Sequence, residues 1–260
     1  MLTYGHYDSP LSMVAESEIP AFKIGRAVGP RRRGRPPLPL DTLLDAYFYR
    51  LRVSGPWRDL DQFGPWRTIY GWHREFDRIG LWSKLLRIVA RPRGMSRFVD
   101  GTHVKVSQAG ANPAGGGVLQ AMGKTKGGRN SKLMAMTDLS ARPIALILVG
   151  GQAYEGHHLL DLIDVAMIKG ERLTIVADRA YDDDKLRGRL SSRGLKHCFP
   201  RQRRRKGKRP MDRRLYRARY RIENCFCRLK RWASIDTRRE KLASRYLSLV
   251  TFASVMEWLR

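Results

Sequence analysis

The chain has 260 residues, 42% of them hydrophobic, so it can bury a core and is not a disordered polymer. Charge is the outlier: 51 Lys and Arg against 24 Asp and Glu give a formal net charge of +27, which calls for a polyanionic partner. No apolar run reaches the roughly 18 residues of a membrane span, and the opening MLTYGHYDSPLSMVAESEIPAF mixes acids and prolines into its apolar residues, unlike a signal peptide. The expected setting is cytoplasmic, without a membrane, and the expected partner is a nucleic acid. Cys198, Cys225 and Cys227, odd in number and without CxxC spacing, read as reduced thiols.

Residues 1–38 form a basic tail ending in GPRRRGRPPLP, in which Arg33 and Arg35 belong to an RGRP core similar to arms that lie in narrow minor grooves. A plain basic linker reads the same way. Residues 39–92 read as a helical domain. A helix opens at Leu40-Asp41, with Asp41 as N-cap and Leu43, Leu44, Tyr47, Phe48 and Leu51 at helical spacing. Ser54-Gly55-Pro56 stops it, a short helix spans Trp57–Phe63, and Gly64-Pro65 turns into a helix over Trp66–Ile79. That helix carries Arg67, Tyr70, His73, Arg74 and Arg78 beside buried candidates Ile69, Trp72 and Phe76, and a last helix covers Leu81–Val89. Short helix, glycine turn, then an arginine-rich helix is the helix-turn-helix pattern, with Arg67 and Arg74 as DNA contacts. A compact bundle with solvated arginines fits the same pattern.

Residues 93–260 alternate strands and helices. Arg97–Val106 reads as a strand or hairpin, a Gly-rich basic loop crosses 110–130, and Lys132–Thr137 and Pro143–Val149 are further strands. A helix over 157–168 precedes Leu173–Ala177, an apolar strand of the kind buried on both faces. Asp182–Ser191 is a helix with its acids at the N-terminus, and Leu195–Phe199 is a strand. A basic loop at 201–209 holds Arg203, Arg204 and Arg205, and helices cover 213–231 and 239–259. The pattern implies an α/β or α+β fold, a mixed sheet between helices.

Three carboxylates stand out. Asp178 follows the apolar run LTIVA at a strand's carboxyl end, where ligand sites gather. Asp100 follows RFV and precedes Gly101, which would let a phosphate approach the backbone. A strand-end aspartate also serves as a cap or turn residue. Glu223 lies in the basic helix DRRLYRARYRIENCFCRLKRW. At about 100° per residue, Tyr216, Arg219, Glu223 and Lys230 share a stripe roughly 60° wide beside an apolar stripe of Leu215, Ile222, Phe226 and Leu229. Three hard-oxygen donors suit Mg²⁺ or Mn²⁺. Two such ions about 3.5–4 Å apart perform phosphodiester cleavage, with Arg219 and Lys230 neutralising phosphates. Glu155, Asp161 and Asp164 compete for the third place, while His157-His158, pointing apart on a helix, read as surface residues.

These residues resemble the DDE transposases of bacterial insertion sequences, in the group marked by Tyr, two residues, Arg, three residues, Glu, six residues, Lys. Tyr216, Arg219, Glu223 and Lys230 keep every spacing, Asp100 lies in FVDGTHVKV and Asp178 in VADRAYDDDKLR. The resemblance covers about residues 33–260. It implies a ribonuclease-H-like core with Asp100 on the first strand, Asp178 at the end of the fourth and Glu223 on the helix after the fifth. It further implies that Asp100, Asp178 and Glu223 hold two metal ions, and that the DNA partners are terminal inverted repeats and target DNA. The helical domain would read the repeats, in a homodimer that pairs both ends. Tyr216, Arg219, Lys230 and the 201–209 loop would contact DNA. The β-rich insertion that some relatives carry before the glutamate is absent or tiny here. A non-catalytic DNA-binding protein and a structure-specific nuclease of the same fold are the competing readings.

Overall fold

The computed structural model describes residues 38–167, 173–202 and 211–260. Arg33, Arg35 and Arg203 to Arg205 lie outside them.

The N-terminal helices are α1 (Leu40–Val53), α2 (Trp66–Ile79) and α3 (Leu81–Val89), with a 3-10 helix at Trp57–Phe63. Asp41 is not the cap of α1: the helix begins at Leu40, Pro39 holds the cap position, and the Pro39 carbonyl accepts the Leu43 N–H. Along α2, Arg67 and Arg74 are exposed as expected. His73 is not: it is fully buried, 3.1 Å from the Tyr47 hydroxyl and stacked on Trp57 at 4.7 Å, whereas Trp72 is only partly buried. The ring is drawn inward because Tyr47 supplies one polar partner within an otherwise aromatic wall.

The sheet contains β1 (Ser96–Val106), β2 (Gly123–Thr125), β3 (Gly128–Thr137), β4 (Pro143–Gly150), β5 (Thr174–Val176), β6 (Lys196–Cys198) and β7 (Thr237–Arg238). Its spine runs β4-β3-β1-β5-β6: β3 is antiparallel to both β4 and β1, while β5 and β6 run parallel to β1. That order and those directions make a ribonuclease-H-like mixed sheet. β1 is one continuous strand rather than a hairpin, and the 110–130 loop contains β2, which pairs with the start of β3. The remaining helices are α4 (Leu159–Val165), α5 (Asp184–Ser192), α6 (Arg213–Arg217), α7 (Tyr220–Lys230), α8 (Ala233–Asp236) and α9 (Ala243–Leu259).

Strand periodicity divides the core. Phe98 and Val104 of β1 face a cluster with Ile222, Phe226 and Leu229 of α7, residues of α9, and the N-terminal helices. Val99 faces the other cluster, with Leu159 and Leu162 of α4 and Leu186 and Leu190 of α5. The helical block therefore shares a core with the sheet. Tyr47 and Trp82 pack on Phe252 of α9 at 5.6 and 4.6 Å. Buried Arg50 pairs with Glu240 at 3.0 Å and donates to Ser234.

Four helix boundaries differ from expectation. The helix at 157–168 is a 3-10 turn over Glu155–His158 followed by α4. Asp182 is not a helix-terminal charge but a buried partner of Arg187 at 2.7 Å; Asp183 caps α5 through the Leu186 N–H. The basic helix at 213–231 is two helices, because Ala218 and Arg219 donate to carbonyls three residues back, a tightened 3-10 turn. The last helix starts at Ala243 rather than 239. The fully buried Arg238 guanidinium collects the Gln120, Glu240 and Lys241 carbonyls and the Ser131 hydroxyl, holding residues 238–241 out of the helix.

Candidate functional site

Asp100 sits mid-strand on β1, with Phe98 and Val104 on its side of the pleat. Its Oδ1 accepts the Gly101 N–H at 2.8 Å and its Oδ2 accepts Arg219 Nη1 at 2.7 Å. Asp178 follows β5, the strand parallel to β1, and its Oδ1 accepts the Ala180 N–H at 2.7 Å. Glu223 lies in the first turn of α7, exposed, and accepts Arg219 Nη2 at 3.2 Å. One guanidinium therefore links a carboxylate on the central strand to one on a helix 123 positions later (223 − 100).

The tightened turn at Ala218-Arg219 alters the expected stripe without scattering it. Tyr216 is on α6, near enough to Arg219 to act on its charge. Lys230, at the far end of α7, donates to the His103 carbonyl of β1 at 2.8 Å. The apolar stripe is present as Ile222, Phe226 and Leu229, joined by buried Cys225. Between β1 and α7 lies an open cleft of about 480 Å³, lined by Asp100, Thr102, Glu223, Cys227, Lys230 and Arg231 among others.

Burial raises the Asp100 carboxyl to about 6; the Gly101 N–H and Arg219 oppose the shift, and the charges of Glu155 and Asp178 add to it. Glu155 is a carboxylate that the sequence reading left among several competitors. Its Oε1 is 3.2 Å from Lys132 Nζ and its Oε2 accepts the Tyr181 hydroxyl at 2.9 Å. Gly101 was expected to admit a phosphate; instead the space a Cβ would fill belongs to Glu155, whose carboxyl carbon would be 2.9 Å away. Burial raises the Tyr181 hydroxyl well above its ordinary value, and the charges of Glu155, Asp100 and Asp178 all push the same way. The other competitors lie elsewhere: Asp161 pairs with His158 and Asp164 with Arg193, all at the surface.

Among the described residues no group of three His, Cys, Asp or Glu side chains is arranged to hold a metal ion. The donor chemistry nonetheless suits one, since the carboxylates are hard oxygen ligands. Protein cations already stand against them: Arg219 between Asp100 and Glu223, and Lys132 against Glu155. Among the described residues, no helix is long and apolar enough to cross a membrane.

A sheet in the order β4-β3-β1-β5-β6, helices on both faces and a helical N-terminal block define a ribonuclease-H-like protein with an accessory helical region. The chain belongs to the transposase DDE domain family, whose model matches residues 94–256. Residues 24–86 match a second model, described as "Putative transposase of IS4/5 family". A relative from Brucella ovis, described as "Putative transposase for insertion sequence element IS6501", is 36% identical over 87 residues, or 33% of this chain and 67% of the relative. Among solved structures, the piggyBac transposase in a synaptic complex with hairpin DNA is similar in fold. Its TM-score is 0.50 at 11% identity, covering 91% of this chain and 69% of that one.

Proposed function

We propose that the chain is a transposase that binds the terminal inverted repeats of an insertion sequence, cleaves DNA there and joins the freed 3′-hydroxyl ends to target DNA. The observation that carries this reading is the Arg219 bridge from Asp100 to Glu223, with Asp178 just past the strand that pairs with β1. Two of these acids, Asp100 and Glu223, line one open cleft.

In this reading Asp100, Asp178 and Glu223 are the catalytic carboxylates and would hold two Mg²⁺ or Mn²⁺ ions. Bound there, the ions would supply activation of the attacking oxygen and stabilisation of the leaving one. The chain's own contribution is positioning. The Gly101 and Ala180 N–H groups each tie down one oxygen of Asp100 and Asp178. Asp100 rides on the central strand, where it pairs with Ala135 of β3. Lys230 and Arg231 line the cleft near Glu223, where a phosphate would call for charge-assisted donors. Arg219 and Tyr216 would turn toward phosphates or terminal bases when DNA enters. Arg67 and Arg74, exposed on α2, would contact the repeats. Arg33, Arg35 and Arg203 to Arg205 would add backbone grip, and a homodimer would pair the two ends.

The test is the full chain, Mg²⁺ and a labelled duplex carrying the inverted repeats that flank its gene. Nicked ends together with joined product support the reading. Binding without nicking would leave a DNA-binding protein, and cut ends without joined product would make the chain a nuclease.

A further inference from the structure

We infer that Glu155 is a fourth metal-facing carboxylate of the acidic site, and that Lys132 is its built-in counter-ion when no metal is bound. The inference rests on the metal reading above and deepens it.

Glu155 reaches the site from the face opposite the Asp100 side chain. Successive β1 residues alternate faces, so Gly101 turns toward the α4 side, where the turn Glu155–His158 begins. A side chain at 101 would meet the Glu155 carboxyl carbon and Oε1 at 2.9 Å, and Lys132 Cδ at 3.2 Å. The missing Cβ is what lets this carboxylate lie against the strand that carries Asp100. Tyr181, three residues past Asp178, holds Glu155 Oε2 from the other side at 2.9 Å. The Tyr181 hydroxyl thus touches Glu155 and lies within the field of Asp100 and Asp178.

Lys132 explains why the cluster is tolerable without a metal. Its side chain is 10% exposed; the ammonium donates to the Ala153 carbonyl at 2.8 Å and pairs with Glu155 at 3.2 Å. Arg219 does the same for Asp100 and Glu223. Two tethered cations therefore stand where positive charge is called for, and a divalent ion would compete with them.

The probe is Mn²⁺ alone, titrated into the full-length, DNA-free protein and followed by loss of the free-ion paramagnetic resonance signal. Glu155→Gln is expected to weaken Mn²⁺ binding about 10-fold or more, at the scale of lost metal-site partners. Lys132→Met is expected to tighten it, because the competing cation is gone and Glu155 remains. Asp161→Asn, an exposed acid in the same stretch, should leave it unchanged. Opposite signs for Glu155→Gln and Lys132→Met support the inference. If neither changes Mn²⁺ affinity while Asp100→Asn abolishes binding, Glu155 is a structural partner only and the inference falls. If Asp100→Asn and Asp178→Asn also leave binding intact, or the unaltered chain binds no Mn²⁺, the metal reading itself falls. Should Glu155→Gln not fold, Lys132→Met decides alone: unchanged or weaker binding overturns the inference.

Discussion

His73 makes the N-terminal helical block sensitive to acid. Its ring is enclosed by Tyr47 and Trp57, its Nε2 is buried without a partner, and nearby Arg245 and Arg50 add positive charge. Burial first, then those two arginines, push its pKa from 6.5 down to about 3. A depressed folded value means that the unfolded chain takes up a proton first. Stability is therefore whole above pH 6.5 and is lost as the pH falls from there toward 3. The slope approaches about 1.4 kcal/mol per pH unit well inside that window, so moving from pH 6.5 to 4.5 removes roughly 2 kcal/mol. That is a large share of the roughly 5–15 kcal/mol a folded domain has in total. The assay is urea unfolding at both pH values, for the native chain and His73→Asn, whose amide can still meet Tyr47. The variant loses packing equally at both pH values, but its stability should fall by roughly 2 kcal/mol less between them. Asp100, whose raised pKa works in the opposite direction between pH 4 and 6, is present in both chains and cancels. Parallel pH dependence in the two proteins would refute the argument.

Glu223→Gln should lower DNA cleavage at least about 100-fold, the upper figure for outer partners of a metal site, while DNA binding persists; unchanged turnover would remove Glu223 from the acidic set. Arg67→Ala and Arg74→Ala should each reduce the slope of log affinity against log salt by about 1, as expected for a lost phosphate contact, and an unaltered slope would take α2 out of the DNA interface. Cys227 is the exposed thiol, whereas burial pushes Cys225 up to about 12. A maleimide at pH 8 should therefore modify Cys227 first and block cleavage by filling the cleft beside Glu223. Mass mapping of the label, with Cys227→Ser as control, checks this; full activity after labelling at Cys227 would contradict the assignment of the cleft.

Much of the sheet was legible because its strands are short apolar runs bounded by turns. Leu173–Ala177 reads as buried on both faces, and β5 packs in just that way between two clusters. The α2 and α3 boundaries followed from Gly-Pro and Gly punctuation. What was missed depends on partners distant in sequence. Nothing local says that Arg238 will reach the Gln120 carbonyl, 118 positions earlier, and the Ser131 hydroxyl, and so delay the last helix. His73 looked like an arginine-face residue because its partner, Tyr47, lies 26 positions earlier. At the site, the Arg219–Glu223 spacing was readable on a helical wheel. The Arg219–Asp100 contact spans 119 positions and required the fold. Glu155 stood among several competing acids, and its place against Gly101 likewise required the fold. Its signal was the bare Gly101 after Asp100, which reads equally as room for a phosphate or room for a carboxylate.

The central claim is that this acidic cleft cuts and joins DNA, and strand joining tests it most directly. A duplex ending in a pre-cut terminal repeat with a free 3′-hydroxyl is incubated with the full chain, Mg²⁺ and a supercoiled plasmid. The account predicts labelled repeat DNA covalently joined to the plasmid, lost in EDTA and lost with Asp100→Asn or Asp178→Asn. Tight binding of the repeat with no joined product under any divalent metal, or joining that survives Asp100→Asn, would contradict it.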